Sequence, residues 1–356
     1  MDKLKIAIVG QGRSGRDIHG AYFKSEINEL FDVAYVVETD EERRNRACEE
    51  YPGCEVFASH TELYGIEDID LVTNATMSKD HYRITRDLLE HGFNVVSEKP
   101  FARNRYECDT LIKIAKEKNV KFGVFHQSLF APIYTNAKKV IESGKLGEIK
   151  QIDISYNNFS RRWDWQTAQC EMGGSIYNTG PHPIGYGLGF LDFDENFRVV
   201  YSKLDHILSS GDAEDYAKIL ITAPNKPLID IEISAIDAFP VTTFKIMGSK
   251  GTYKSNFVEY EMKYIVDGEN PEQPLILTPL KDENGLPAWC SETLKFHEES
   301  GKLEGSAFDL GTHMFYEMMF NAITKNEEIV IKPEYAAMTI SVIEQAHAEN
   351  PLPVKF

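Results

Sequence analysis

The stretch LKIAIVGQGRSG, residues 4 to 15, constrains the fold more than any other in the chain. An apolar run of strand character ends in Gly10, and Gly12 and Gly15 complete a G-x-G-x-x-G spacing before a helical pattern from Arg13 to Lys24. At a strand-to-helix junction such glycines permit a tight turn, close approach of backbone to a pyrophosphate, and close packing of helix on sheet, with the helix N-terminus facing the anion. Gly10, Gln11, Gly12, Arg13, Ser14 and Gly15 are therefore candidate dinucleotide contacts. Glycine-rich turns also arise for steric reasons alone, so position matters. Glu38 ends the next apolar run, DVAYVVE, about 20 residues on, where a carboxylate accepts from both ribose hydroxyls of NAD and repels the 2′-phosphate of NADP. The plain alternative for Glu38 is a strand-end acid beside an acidic helix start, Asp40 to Glu42.

The alternation continues through the first third. DVAYVVE leads to a helical pattern over 41–51, DLVTNAT to one over 79–91 and NVVSE to one over 105–118, before the run VKFGVF. Strands alternating with helices of this length predict right-handed crossovers and a doubly wound parallel sheet, an α/β Rossmann domain over residues 1–125. Beyond that point IKQIDISYNNF, FRVVYSKL, YAKILITA, PLIDIEISA and TTFKIMGSKGTYKS alternate with period two, with few helices between. They predict an α+β domain over 126–356 with a large, mostly antiparallel sheet, closed by helical patterns from Asp309 to Thr324 and Pro333 to Glu349. The alternating face includes many apolar residues, so pairing with a second copy, a homo-oligomer, is expected.

Composition narrows the partners. A net charge of −18 repels nucleic acid and anionic membranes, and no basic patch offsets it, which leaves a small molecule. The five cysteines are scattered without C-x-x-C spacing, so reduced thiols and no metal site are expected. No run reaches the roughly 20 apolar residues of a membrane span, and a cytoplasmic address is expected.

NVVSEKPF ends its run with Glu98, Lys99 and Pro100, at the strand end where ligands sit in open α/β sheets. Alone, it could be a surface lysine in a turn. Together with the glycine loop, with TMSKDH from Thr76 to His81, and with the segment EMGGSIYNTGPHPIG over 171–185, it resembles the Gfo/Idh/MocA oxidoreductases, the family of glucose-fructose oxidoreductase and inositol dehydrogenase. The resemblance runs the length of the chain. It implies a nicotinamide cofactor, with Lys99 beside the nicotinamide and the substrate hydroxyl and Glu98 near the ribose. It also places Thr76, His81 and Gln127 on the cofactor; Leu129 stands where the family usually carries arginine.

Oxidising a secondary alcohol removes hydride from carbon and a proton from oxygen, and histidine suits the base at neutral pH. The family's G-G-G followed by D-x-G-x-H reads here Gly173-Gly174-Ser175 and Asn178-Thr179-Gly180-Pro181-His182. The resemblance makes His182 that base, with Lys99 beside it. The alternative is a satisfied histidine at a helix start. Asn178 can orient a sugar hydroxyl but cannot supply the charge of the family's aspartate. DLGTH, Asp309 to His313, matches the same pattern more literally; Asp309 reads better as a helix cap, with His313 at the pocket mouth. In FSRRWDWQ, the cluster Arg161, Arg162, Trp163 and Trp165 suits a carbohydrate, and equally a core or oligomer contact; Arg161 and Trp163 are taken as the substrate candidates. The expectation is an NAD-dependent dehydrogenase of a sugar, glycoside or polyol, such as C3 of a glucoside. The alternatives are an enzyme cycling a tightly held NAD and a catalytically silent sugar or nucleotide sensor.

Overall fold

The computed structural model describes residues 3–240 and 242–356. Strands β1 (Leu4–Val9), β2 (Phe31–Val37), β3 (Glu55–Phe57), β4 (Leu71–Asn74), β5 (Val95–Ser97) and β6 (Phe122–Val124) form a parallel sheet in the order β3-β2-β1-β4-β5-β6. The order reverses between β1 and β4, which opens a crevice outside their carboxyl ends. Ile6, Ala7, Ile8, Val36, Leu71, Val72, Val95 and Val96 are fully buried, as expected when helices cover both faces.

After β1 the backbone takes a π-helical turn, Ser14–His19, into the short helix α1 (Gly20–Phe23), where a regular helix from Arg13 to Lys24 was expected. Helices α2 (Glu41–Glu50), α3 (His81–Glu90) and α4 (Arg105–Lys118) follow the periodicity closely. Asp40 and Asn104 cap α2 and α4 through the amides of Arg43 and Glu107. The three-residue β3 is too short to show a period.

The second sheet comprises β7 (Ile149–Asn157), β8 (Arg198–Asp205), β9 (Tyr216–Thr222), β10 (Leu228–Ser234), β11 (Phe244–Gly248), β12 (Gly251–Ser255), β13 (Glu259–Tyr264) and, after the small hairpin β14 (Leu280–Lys281) and β15 (Pro287–Ala288), β16 (His297–Lys302). Its order is β16-β13-β12-β11-β7-β10-β9-β8, antiparallel except between β7 and β10. Ile152, Ile154, Ile219, Ile221, Ile229, Ile231 and Phe244 point inward.

Two helices depart from the expected run of strands: α5 (Pro132–Glu142) and α7 (Pro181–Phe190), the latter preceded by the one-turn α6 (Ser175–Asn178). α7 holds Gly185, Gly187 and Gly189 because it is sandwiched. A Cβ at 185 would overlap the His126 ring, and one at 187 would lie 3.0 Å from Ile229. These glycines serve helix-to-sheet packing rather than approach to a ligand. α8 (Thr312–Lys325) and α9 (Pro333–Glu349) close the chain, and α9 packs on α4, α7 and β8, tying the two sheets together.

The outer face of the second sheet is not the apolar surface expected. It carries Asp153, Lys218, Asp230, Glu232 and Lys245, with Lys218 Nζ 2.6 Å from Asp230 Oδ1. Exposed apolar residues gather instead between β13 and β16, where Leu275, Leu277 and Trp289 are each more than 80% exposed (85%, 87% and 86%). Among the described residues no helix is long and apolar enough to cross a membrane.

Candidate active site

A cavity of about 1010 Å³ opens along the crevice. Gly10 takes φ +98°, and a Cβ there would lie 2.6 Å from the Ala75 carbonyl; a Cβ on Gly15 would overlap the Gly10 carbonyl oxygen. Gly12 has no atom within 4 Å of where its Cβ would be, and it lines the cavity. The Gln11 amide donates to Glu38 Oε2 at 2.7 Å and the Asp40 amide to Glu38 Oε1 at 3.0 Å. Glu38 thus braces the glycine loop and also lines the cavity, with Arg43 3.7 Å from its carboxylate. Arg13 and Ser14 line the same wall. Gln11 Nε2 is buried without a hydrogen-bond partner among the described residues.

Thr76, His81, Glu98, Lys99, Gln127, Asn178 and His182 also reach this cavity. His81 is a clamp between two carbonyls: Nδ1 lies 2.7 Å from that of Pro100 and Nε2 3.1 Å from that of Thr76, and the neutral ring donates to one of them. Glu98 is buried, and burial raises its carboxyl pKa. The His19 hydrogen bond, with His19, Lys99 and Ser14 adjacent, more than offsets this and lowers it to about 2. Lys99 Nζ donates to the Asn178 carbonyl at 2.9 Å; burial, and Arg13 nearby, lower its pKa against the pull of Glu98. Gln127 Oε1 is likewise buried with no hydrogen-bond partner among the described residues.

His182 sits in the first turn of α7, held there by flanking prolines that start the helix without needing donors. Its Nδ1 lies 3.0 Å from Ser128 Oγ. Burial, with Lys99 and His126 nearby, drives its pKa well below the ordinary value, so the imidazole is neutral at physiological pH. Nδ1–H donating to Ser128 leaves the Nε2 lone pair free, an assignment that rests on the hydrogen-bond partner.

Three candidates lie apart. Arg161 and the 75%-exposed Trp163 are absent from the lining, which takes Arg162, Trp165 and Gln166 from the same loop. His313 points to Tyr22 Oη, 3.5 Å away, and not to the cavity. Asp309 accepts the Ser306 amide at 2.6 Å in a capping box, as its reading as a cap requires.

Sequence reasoning missed a second cavity of about 470 Å³, lined by polar and apolar groups alike, that shares Arg162, Gln166 and Asn178 with the first. Ser155, Asn157, Ser175, Thr179 and Ser234 line it with hydroxyls and amides. It also missed Glu214, whose carboxylate accepts the Ile176 amide at 2.9 Å and lies 3.2 Å from His347 Nε2. Glu214 caps α6, whose last carbonyl holds Lys99. The cluster GDAED at 211–215 carried the only signal, since three acids there are almost fully buried. Among the described residues no three His, Cys, Asp or Glu side chains converge as a metal would require.

A six-stranded doubly wound sheet with a glycine loop at its switch point, facing a lysine and a neutral histidine brought from two domains, defines a nucleotide-dependent oxidoreductase architecture. Comparison with known proteins agrees. The pattern of the oxidoreductase family with an NAD-binding Rossmann fold matches residues 4–126, and that of the GFO/IDH/MocA C-terminal domain matches 134–254. The chain belongs to the Gfo/Idh/MocA oxidoreductase family. It is 25% identical over 286 residues to an uncharacterized oxidoreductase of Schizosaccharomyces pombe, covering 77% of this chain and 76% of that one. It is 28% identical over 186 residues to scyllo-inositol 2-dehydrogenase (NADP(+)) IolW of Bacillus subtilis, about half of each chain (52% and 51%). The oxidoreductase yvaA of Bacillus subtilis shares the fold at TM-score 0.78 and 18% identity, over 98% of this chain and 99% of that one. GenD2 from gentamicin A biosynthesis, in complex with NAD, shares it at 0.75 and 18%, over 98% and 94%.

Proposed function

We propose that this protein is an NAD-dependent dehydrogenase that oxidises a secondary hydroxyl of a sugar, glycoside or polyol. The observation that carries the proposal is the meeting of Lys99 and a neutral His182 in the cavity that also contains the glycine loop. The lining fits a dinucleotide: Gly12 leaves open space, and Gln11 Nε2 and Gln127 Oε1 are buried polar atoms without partners among the described residues. The glycine loop would hold the pyrophosphate and Glu38 the adenosine ribose hydroxyls, which favours NAD. Gln127, Glu98 and Thr76 would border the nicotinamide end. When bound, the nicotinamide supplies the hydride acceptor.

His182 Nε2 takes the hydroxyl proton, with Ser128 fixing the ring. The Lys99 ammonium, aimed by the Asn178 carbonyl, stabilises the developing alkoxide. Asn178, Gln166 and Arg162 stand where the two cavities join and orient the substrate. The second cavity sets hydroxyls and amides beside apolar residues such as Tyr156 and Phe257, which suits the faces and hydroxyls of a sugar with room beyond one ring and supports a glycoside. The inositol substrate in the Bacillus subtilis relative's name points to the same class. The finer reading, oxidation at C3 of a glucoside, is checked by product NMR, and a carbonyl elsewhere rejects it.

Initial rates with NAD and with NADP, across inositols, sugars and glycosides, test the proposal. NAD is the expected better cofactor, and Glu38→Ala narrows the preference. Failure of every substrate, in a protein that binds NAD, sinks the dehydrogenase reading in favour of a held-cofactor cycle or a sensor.

A further inference from the structure

The DLGTH motif, Asp309 to His313, takes no part in the chemistry above, but it fixes one turn against the site. The π-helical turn Ala307–Gly311 is closed at its start by the capping box of Ser306 and Asp309, and the Gly311 amide donates back to the Ser306 carbonyl at 3.1 Å. Gly311 lies close on Gln127: a Cβ there would come 2.7 Å from the Gln127 carbonyl oxygen. Just beyond, Phe315 of α8 meets Phe125 edge to face, with centroids 5.1 Å apart, and His313 reaches Tyr22. The turn is therefore seated on the segment from Phe125 to Ser128. The same segment holds the proposed base, since Ser128 Oγ lies 3.0 Å from His182 Nδ1.

What the turn presents is Phe308, which lines the large cavity and is 64% exposed. A phenyl ring has no polar atom for a phosphate or a hydroxyl, so its match in that cavity is a flat apolar surface. Two such surfaces would enter, the face of a sugar and the nicotinamide ring. Trp165, in the loop that also supplies Arg162 and Gln166, is the aromatic residue on the substrate side. Phe308 is tied to Gln127, on the cofactor side. We propose that Phe308 is a cofactor-contacting residue that covers the nicotinamide ring and keeps bulk water from it; this rests on the assignment of the glycine-loop cavity to a nicotinamide dinucleotide. The phenyl face, open to water in the free protein, is buried when the ring arrives, and that apolar burial drives the contact. Expelling water there also strengthens the hold of the Lys99 ammonium on the developing alkoxide.

The test uses NADH alone on the full chain, read by the fluorescence of the bound dihydronicotinamide. Phe308→Ala should raise the acrylamide quenching constant of bound NADH by roughly threefold. It should also weaken NADH binding by up to about tenfold. Phe308→Leu, which keeps an apolar cover, should recover most of the shielding. Phe239→Ala removes a ring that is 85% exposed and outside the cavity lining, and should match wild type. Because Phe308 is largely exposed, its truncation empties no core space, and Tm should hold. Equal quenching in wild type and Phe308→Ala overturns the proposal. So does wild-type protein that binds no NADH, or that leaves bound NADH as open to acrylamide as NADH in solution. A sugar KM that rises in Phe308→Ala while the NADH signals stay put assigns the ring to the substrate, and overturns it too. No turnover is needed, so a search that finds no oxidisable sugar sinks the dehydrogenase reading while the shielding result stands.

Discussion

Lys99 and His182 share one cavity, and the ammonium is among the causes that hold the imidazole neutral. Lys99→Met removes that cause, so the His182 pKa rises and the acid limb of kcat/KM, which reports loss of the His182 proton, should move to higher pH. Activity should fall by about two orders of magnitude with the loss of alkoxide stabilisation. An acid limb that stays put rejects the coupling. The glycine loop offers a sharper contrast: Gly12→Ala adds a methyl to open cavity and should weaken NAD binding without lowering Tm, whereas Gly15→Ala drives a methyl into the Gly10 carbonyl and should lower Tm. Thermal melts with and without NAD separate them, and equal effects would contradict the assignment. Both roles were legible in the G-x-G-x-x-G spacing, because that spacing encodes backbone geometry. The choice of Arg162 and Trp165 over Arg161 and Trp163 was not, since the loop after β7 has no period to say which neighbour faces inward.

The parallel strands other than β3, together with α4 and α9, could be read from apolar runs and helical periodicity because burial on a regular surface writes a regular pattern. α7 could not. Its sequence PHPIGYGLGF carries three glycines after the first turn, each costing about 1 kcal/mol against alanine in an isolated helix. Tertiary space overrides propensity here, because only glycine lets the helix lie against His126, Tyr134 and the sheet. Gly185→Ala should therefore destabilise the fold by about 1–3 kcal/mol despite its better helix propensity, as denaturant unfolding would measure. A stabilised variant would contradict the packing account. α6 was hidden for another reason: one turn has no period, and what holds it is Glu214, far along the chain. Glu214→Ala should free the Asn178 carbonyl and lower kcat more than it raises KM.

Across the whole molecule, three buried groups at or beside the site titrate low. Burial lowers His126 to about 4 and drives His182 well below its ordinary value, while the His19 hydrogen bond, together with the neighbouring His19, Lys99 and Ser14, outweighs burial and holds Glu98 at about 2. In each the folded pKa lies below the unfolded one, so the folded state binds fewer protons and stability is lost as pH falls. The histidine contributions are complete above about 6.5 and decline as pH drops toward 4; that of Glu98 declines between about 4.5 and 2. Tm should therefore fall steadily below pH 6.5, and His126→Gln should flatten the upper part of that fall; a flat Tm down to pH 4 contradicts it. The charged outer sheet face and the bared apolar residues between β13 and β16 direct any search for self-association to that segment rather than to the sheet. The central claim, hydride removal from a carbon by a site built on Lys99 and His182, is met most directly by label transfer. With C-deuterated inositols and glucosides, wild-type protein should pass deuterium to the nicotinamide, while His182→Ala, still binding NAD, should pass almost none. Reduced nicotinamide without label, or equal transfer by the variant, would contradict the account.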